Sequence, residues 1–180
     1  MREVDSRRSF ASAASDVAAF CADRDRSPSS AFITLLRGSA AAGSPPELAG
    51  LFRAFVEVAV KTAGSNDCFR TGIDGPDWRL TIADTPLFAL TLSNCYPLDH
   101  PRYLSGPSAF VFQPEALFAF HGITSNGDRS KYTAVAHEMF AKRGRRFFSH
   151  HDKGTPKALR FVLDSDGYGL RWWQIKAVLP

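Results

Sequence analysis

Residues 86–114, with the sequence PLFALTLSNCYPLDHPRYLSGPSAFVFQP, decide the predicted fold. This segment contains two short apolar runs, at 87–92 and 109–112, and a loop of polar and Pro residues between them. Short apolar runs that end in turn-forming residues are typical of strands buried in a sheet. We therefore expect two central strands joined by this loop, and any chemistry of the chain to centre on residues 94–114.

Further strands are predicted on both sides of this segment. Trp78, Leu80 and Ile82 alternate with polar residues, and this period of two predicts a strand with one solvated face. Residues 31–36 (AFITLL) are short, apolar and partly β-branched, which favours a buried strand. The Gly, Pro and Asp residues in the intervening turns favour an antiparallel meander.

Three helices are predicted from the apolar periodicity. The first lies within residues 10–23. The second begins with a capping box formed by Ser44 and Glu47 and ends at Gly64. The third covers residues 131–142. The residues of this third helix that we expect to face inward are Tyr132, Val135, Ala136, Met139 and Phe140.

The order of these elements predicts the fold class. Helices bracket the strands instead of alternating with them, which favours an α+β fold with an antiparallel or mixed sheet flanked by about three helices. A chain of 180 residues is within the size range of one domain, so we expect a single domain over 1–180. Residues 157–163 and 171–178 fit a strand or a helix equally well.

Composition excludes several classes of protein. No apolar run is long enough to cross a bilayer, and residues 1–10 lack the apolar core of a secretory signal. We therefore expect a cytoplasmic protein with no membrane partner. The net charge is only +4, and the basic stretch 142–146 ends a predicted helix whose dipole it complements. This explanation is favoured over a nucleic-acid partner.

Common catalytic and metal-binding motifs are missing from the sequence. The three cysteines, Cys21, Cys68 and Cys95, form no C-x-x-C pair, which argues against a zinc ribbon or a disulfide framework. The chain contains no G-x-x-x-x-G-K-[ST], G-x-G-x-x-G or G-x-S-x-G motif. His137 and Glu138 begin like a zinc-protease helix, but the second His is replaced by Ala141. A small cofactor-dependent enzyme remains compatible with these absences.

The loop between the two central strands carries the chemistry-bearing side chains. His100 is the first candidate, because neutral imidazole is a common metal ligand and Asp99 could orient its second nitrogen. A hydrogen-bonded surface histidine is the alternative. Cys95 competes for the same role as a thiolate ligand of haem iron, or it is a buried thiol. Arg102 and Tyr103 could bind a carboxylate or a haem propionate, or form an exposed pair.

A set of residues in this region follows a recognisable order. It comprises the string 86–94 (PLFALTLSN), Pro97, His100, Arg102, the string 110–114 (FVFQP), Leu117 and Phe118. This order resembles the YqcI/YcgG family. Trp78 and the predicted helix that starts at Lys131 also lie where the family has such features. The resemblance covers about 31–151, and its most specific part is the Phe-Gln-Pro string.

The resemblance implies haem chemistry. The family is similar to the guanitoxin-pathway N-hydroxylases and to the arginine N-hydroxylase of D-cycloserine biosynthesis, an antibiotic pathway. The chain is therefore expected to be a haem-dependent monooxygenase. It would use haem b (iron protoporphyrin IX) and O2 or peroxide to N-hydroxylate the guanidino group of L-arginine or a related amino acid. A non-catalytic haem-binding or small-ligand-binding protein is the alternative.

The resemblance also implies roles for single residues. His100 matches the family histidine and becomes the expected iron ligand, with Arg102 and Tyr103 near the propionates and Gln113 in the pocket. Asp99 or Glu115 could bind the substrate guanidinium, because carboxylates accept it through two hydrogen bonds. If neither His100 nor Cys95 binds iron, the candidates are His121, His150 and His151. The N-terminal region is short for the family, so a homodimer could complete the site.

Overall fold

In the computed structural model, the backbone is described for residues 2–4, 7–23, 30–36, 42–64, 69, 72–120, 129–148 and 155–179. Side chains are described for these residues except at 2–4, 7–9 and 129–132. The elements in chain order are β1 (Arg2–Val4), α1 (Arg7–Ala22), β2 (Phe32–Leu36), α2 (Pro45–Thr62), β3 (Leu80–Ile82), β4 (Thr85–Leu92), β5 (Ser108–Pro114), α3 (Ala116–Phe120) and α4 (Arg129–Lys142).

The strands form one mixed sheet in the order β1-β2-β5-β4-β3. Strands β2, β5, β4 and β3 pair antiparallel, and β1 adds to the edge of β2 in parallel. The α+β fold with a mixed sheet and flanking helices is thus confirmed, and so is the meander formed by β3, β4 and β5. The short elements β1 and α3 were not predicted.

Helices α1 and α2 cover the inner face of the sheet. Phe52 of α2 lies at the centre of this layer, where its ring centroid is 5.2 Å from that of Phe110 and 4.9 Å from that of Trp172. Phe55 packs edge-on against Phe10 of α1 at 5.4 Å. Edge-on packing is a favoured geometry for aromatic rings, because the positive edge of one meets the negative face of the other. Aromatic side chains therefore occupy the centre of the core, and aliphatic side chains and alanines make up much of the rest.

The predicted start of α2 is observed with one difference. The Ser44 hydroxyl accepts a hydrogen bond from the Glu47 amide at 3.4 Å, as a capping box requires. The Glu47 carboxylate, however, accepts from the amide of Gly43 at 2.8 Å, one residue before the expected donor. Only the first of these bonds satisfies an amide that the first turn of a helix leaves without a partner; the second holds the residue before the cap.

Helix α4 corrects an expectation about packing. Val135 and Met139 were expected to face inward, yet their exposed fractions are 49% and 51%. Ala136 and Phe140 are half-buried, and the side chain of Tyr132 lies outside the described part. These apolar residues share one stripe of the helix, but its side with Val135 and Met139 is turned to solvent.

Residues 155–179, called the C-terminal part below, form neither a named strand nor an α-helix. Its two ambiguous segments contain single 3-10 turns at Lys157–Arg160 and Trp172–Gln174. Trp172 is fully buried and its indole nitrogen donates to the Ala158 carbonyl at 2.8 Å, which holds the two turns together. Within the described residues, no helix is long and apolar enough to cross a membrane.

Candidate functional site

The loop that connects β4 and β5 is closed at its base by hydrogen bonds. The amide of Ser93 donates to the Arg102 carbonyl, and the amide of Leu104 donates to the Ser93 carbonyl, both at 3.1 Å. The buried hydroxyls of Ser93 and Ser108 also bond to each other at 2.8 Å. Because a buried polar group without a partner is costly, these bonds fix where the loop leaves and rejoins the sheet.

His100 is buried inside this loop. Its exposed fraction is 0%. One ring face stacks on Tyr96, with a centroid distance of 4.2 Å and an interplanar angle of 7°, and the Phe148 ring lies 5.2 Å away. The surface-histidine alternative is therefore wrong. The sequence placed His100 in a loop, and loops are usually exposed, so its burial was not foreseen.

The hydrogen bonds of His100 define its tautomer. Nδ1 accepts a hydrogen bond from the backbone amide of Arg102 at 3.1 Å. A neutral imidazole that accepts at Nδ1 carries its proton on Nε2. Burial, assisted by the charges of Arg102 and Arg146, lowers the pKa of His100 to about 4, so the ring is neutral at pH 7. The buried Nε2–H makes no hydrogen bond of normal geometry.

The fit of His100 to haem iron follows from this tautomer. An iron ligand needs a lone pair on the coordinating nitrogen and usually donates its other N–H to an acceptor. In His100 the lone pair at Nδ1 is already used, and Nε2 bears the proton. As hydrogen-bonded in this structure, His100 does not fit the role of iron ligand that the family resemblance implies.

Arg102 is anchored by backbone carbonyls. Its guanidinium donates to the carbonyls of Phe161 and Arg160 in the C-terminal part. Burial lowers the pKa of Arg102 to about 10. The donors that were expected to bind a haem propionate are thus engaged within the protein, and Arg102 ties the loop to the segment around Phe161.

Tyr103 and Cys95 occupy half-buried positions in the same loop. The Arg145 guanidinium lies over the Tyr103 ring, 5.8 Å from its centroid, and donates to the Tyr103 carbonyl at 3.2 Å. Burial raises the pKa of the Cys95 thiol. Because only the thiolate is a good metal ligand, this environment disfavours Cys95 as the alternative to His100.

The two predicted carboxylates already have cationic partners. Asp99 pairs with Arg146, with 2.7 Å between Oδ2 and Nε. Glu115 pairs with Arg79 through Oε2 and with Lys157 through Oε1, both at 2.9 Å. Glu115 therefore already accepts a guanidinium group, the chemical group that the predicted substrate carries.

The predicted site residues fall into two groups instead of one. Leu92 pairs with Ala109 at the loop end of the β4–β5 pair, whereas Leu87 pairs with Pro114 at the other end. At about 3.4 Å per residue, these ends are about 17 Å apart. The loop residues at 99–103 lie beyond the first end, and Gln113 and Glu115 lie at the second.

The outer face of the sheet is a feature that the sequence analysis missed. Paired residues share a face and successive residues alternate, so the strand register identifies the members of this face. They are Ile33, Leu35, Phe88, Leu90, Leu92, Ala109, Val111 and Gln113. Most are only half-buried, and Ile33 is 38% exposed. The sequence does indicate this face, because β4 and β5 carry apolar residues on both faces. A strand of this kind is usually covered on each face by other parts of the protein or by a ligand.

Phe118 of α3 borders this outer face. Its ring centroid is 5.7 Å from that of Phe88. Gln113 lies opposite Phe88 in the register and is the only polar side chain among the members of the face given above. The arrangement is an apolar surface with one amide at the edge that leads to Glu115.

Of the remaining histidines, His137 is the one that lies in the described part of the chain. His137 is exposed on α4, and its ring centroid is 4.5 Å from that of Phe147. His121, His150 and His151 lie outside the described residues, as does Cys68. In the part of the chain that the structure describes, no three His, Cys, Asp or Glu residues form a group that could hold a metal ion.

Comparisons with known proteins add no relative. No family model, no curated protein and no solved structure matches this chain. The resemblance to the YqcI/YcgG family therefore stays a prediction that rests on the order of residues in the sequence.

Proposed function

We propose that this chain is a cytoplasmic haem-dependent oxygenase that N-hydroxylates the guanidino group of L-arginine or a related amino acid in specialised metabolism. The observation that carries the proposal is the half-exposed outer face of the sheet. Its strands, β4 and β5, are the two that contain the strings resembling the YqcI/YcgG family. An apolar face suits an apolar macrocycle, because covering the face removes apolar area from water on both partners.

The proposed contacts to the porphyrin come from the outer face. Phe88, Leu90 and Val111 would form its apolar floor, and Gln113 would offer one hydrogen-bonding amide at the edge. Arg79 and Lys157 lie at the same end, because both bind Glu115 there. These two cations are better placed than Arg102 to bind a carboxylate of the cofactor or of the substrate.

The described residues thus fit the ring of haem better than its iron. His100 keeps its proton on Nε2 in the observed hydrogen bonds, so we assign no iron ligand to it. When bound, haem supplies the activation of O2 or peroxide, and the protein supplies binding and orientation.

Glu115 is the carboxylate that we propose for the substrate guanidinium. Glu115 lies at the Gln113 end of the outer face and already binds the Arg79 guanidinium. The guanidinium of the substrate would take the place of the Arg79 guanidinium on this carboxylate. Asp99 lies beyond the opposite end of the strands and serves Arg146 instead. Asp99 and Glu115 are therefore not expected to act on one substrate molecule together.

The reaction balances with either oxidant. With O2, one oxygen atom enters the N–H bond to give N–OH, and the other leaves as water. This route needs two electrons from a reductant and two protons. With hydrogen peroxide, the same N–OH forms, one water leaves, and no reductant is needed.

Titration with hemin tests the proposed site. We expect the purified protein to develop a Soret band that saturates near one haem per chain. Leu90→Glu should weaken hemin binding about tenfold or more, since a charge against the macrocycle costs over about 1.4 kcal/mol. Leu179→Glu is the matched control, because Leu179 is also an exposed leucine but lies away from the outer face. Its neighbour Val178 donates its amide to the Gly50 carbonyl of α2, which lies on the other side of the sheet.

Two results would contradict the proposal. A protein that stays colourless at equimolar hemin does not carry the site. Equal losses in Leu90→Glu and Leu179→Glu would mean that hemin binds without regard to the outer face. Hydroxylated arginine is then sought by mass spectrometry, with O2 plus a reductant and with peroxide.

A non-catalytic haem-binding or small-ligand-binding protein is the second candidate. The observation that favours it is that both predicted catalytic carboxylates are occupied by cations of the chain itself. This candidate predicts a Soret band with no hydroxylated product from either oxidant.

A further inference from the structure

We infer that His100 is a positioning residue that holds the β4–β5 loop through its Nε2–H tautomer, and that it is not the iron ligand. The structural part of this inference stands on the contacts of His100 alone. The part that concerns iron rests on the proposed function.

Burial leaves no room for a porphyrin at His100. The ring has an exposed fraction of 0% and is stacked on Tyr96. Phe148 packs against it from a different segment of the chain. A haem bound to Nε2 would need an open approach several ångströms wide along the ring plane, and such an opening would leave part of the imidazole exposed. His100 is therefore enclosed by protein on the sides that these contacts occupy.

The Nδ1 bond assigns the role of each nitrogen. Nδ1 accepts from the Arg102 amide, so the proton of the neutral ring is on Nε2. The backbone of Asp164 lies near the ring and acts to raise its pKa, as a group does when it stabilises ring protons. The protonated Nε2 therefore has no lone pair to offer to an iron atom.

His100 joins three segments that are distant in sequence. Within the loop it fixes the Arg102 backbone, whose guanidinium reaches the Phe161 and Arg160 carbonyls. The Phe148 ring, which belongs to the segment after α4, packs against His100. In the same segment, the Arg146 amide donates to the Asp99 carbonyl at 2.7 Å. The imidazole therefore sits where the loop, the end of α4 and the C-terminal part meet.

The chain of contacts leads from His100 to the proposed haem face. Arg102 holds the Phe161 carbonyl, which also accepts from the amide of Thr91 on β4 at 3.1 Å. The Phe161 ring lies 5.7 Å from the ring of Phe88, a member of the outer face. His100 is thus linked to Phe88 of that face through Arg102 and Phe161, without touching a ligand there.

The tautomer is tested directly on the haem-free protein. Long-range proton–nitrogen NMR correlation on 15N-labelled protein at pH 7 distinguishes protonated from unprotonated ring nitrogens. We expect one histidine with an unprotonated Nδ1 and a protonated Nε2, identified by its loss in His100→Asn. A protonated Nδ1 at His100 would overturn the inference.

Two variants test the positioning role. Asn at position 100 keeps an acceptor near the place of Nδ1, whereas Ala removes it. We expect both variants to bind hemin with the Soret maximum of the wild type. His100→Ala should bind it more weakly and melt several degrees lower, and His100→Asn should restore much of both losses. This rescue depends on the Nδ1 acceptor and not on the volume of the ring.

The same experiments separate the two proposals. If both variants fold, as judged by circular dichroism, but lose the ligand-dependent bands, then His100 is the iron ligand and the inference fails. If the wild type binds no hemin, the proposed function fails. In that case the NMR tautomer and the rescue of melting temperature by Asn still decide the role of His100.

Discussion

At the scale of single residues, the environment changes what a side chain can do. His100 and Arg102 look like a metal ligand and an anion binder in the sequence, because both types serve those roles in exposed loops. In the fold they bind each other and the C-terminal part instead. The sequence could predict that these residues matter, but not that their partners come from segments some sixty residues away.

The neutral state of His100 should make stability depend on pH. Its pKa falls from 6.5 to about 4 on folding, mainly through burial. Between these values the unfolded chain binds a proton that the folded chain does not, so the free energy of unfolding decreases as pH falls. The loss should reach about 3 kcal/mol at pH 4, with no further contribution below it or above pH 6.5.

Urea unfolding of the wild type and of His100→Asn between pH 4 and 7 measures this contribution. Other groups titrate in both proteins, so only the difference in slope belongs to His100. Identical slopes would show that His100 is protonated as easily in the folded protein as in the unfolded chain.

At the scale of elements, periodicity predicted what local sequence controls. Strands β2, β4 and β5 lie within about two residues of their predicted bounds, and the Ser44 cap starts α2 as expected. The 3-10 turns at Lys157–Arg160 and Trp172–Gln174 could not be predicted, because they are held by a long-range contact, the bond from Trp172 to Ala158. The outer face was missed because periodicity was used to find strands and not to ask what covers each side.

The turn at Gly167 gives a test at this scale. Gly167 has φ 91°, and a Cβ added there would collide with the Phe148 ring, the same ring that packs on His100. Gly106 is the matched control, with φ 104° and no atom within 4 Å of an added Cβ. Both Ala variants strain the backbone, but Gly167→Ala should cost about 1 to 3 kcal/mol more.

Chemical denaturation of the two glycine variants measures this difference. Equal losses of stability would mean that the Phe148 ring can move away at no cost. The packing of the Phe148 ring against His100 would then be less tight than their contact distance indicates.

At the scale of the whole molecule, the two faces of the sheet are covered to different extents by the described residues. Helices α1 and α2 bury the inner face, while most residues of the outer face remain half-exposed. Apolar patches of this kind on a folded protein usually mark a surface that binds something. Haem is the occupant that we propose, and a second copy of the chain is its competitor.

Self-association should therefore respond to hemin. We expect the haem-free protein to form homodimers at raised concentration and equimolar hemin to return it to monomers. Leu90→Glu should remain monomeric without hemin, because it places a charge on the outer face. Analytical ultracentrifugation measures all three states. A dimer that hemin strengthens would contradict this expectation, because haem and a second copy would then not compete for the outer face.

The order of strands in the sheet also bears on how the chain is made. Leu36 of β2 pairs with Ser108 of β5. Strand β2 therefore cannot pair with β5 during translation until most of the chain has been synthesised. Until then its apolar side chains have no central partner strand, and such late pairings slow folding and invite aggregation. The yield of folded protein from an expression host should accordingly improve at low temperature or with added chaperones, because chaperones bind unpaired apolar strands and limit aggregation.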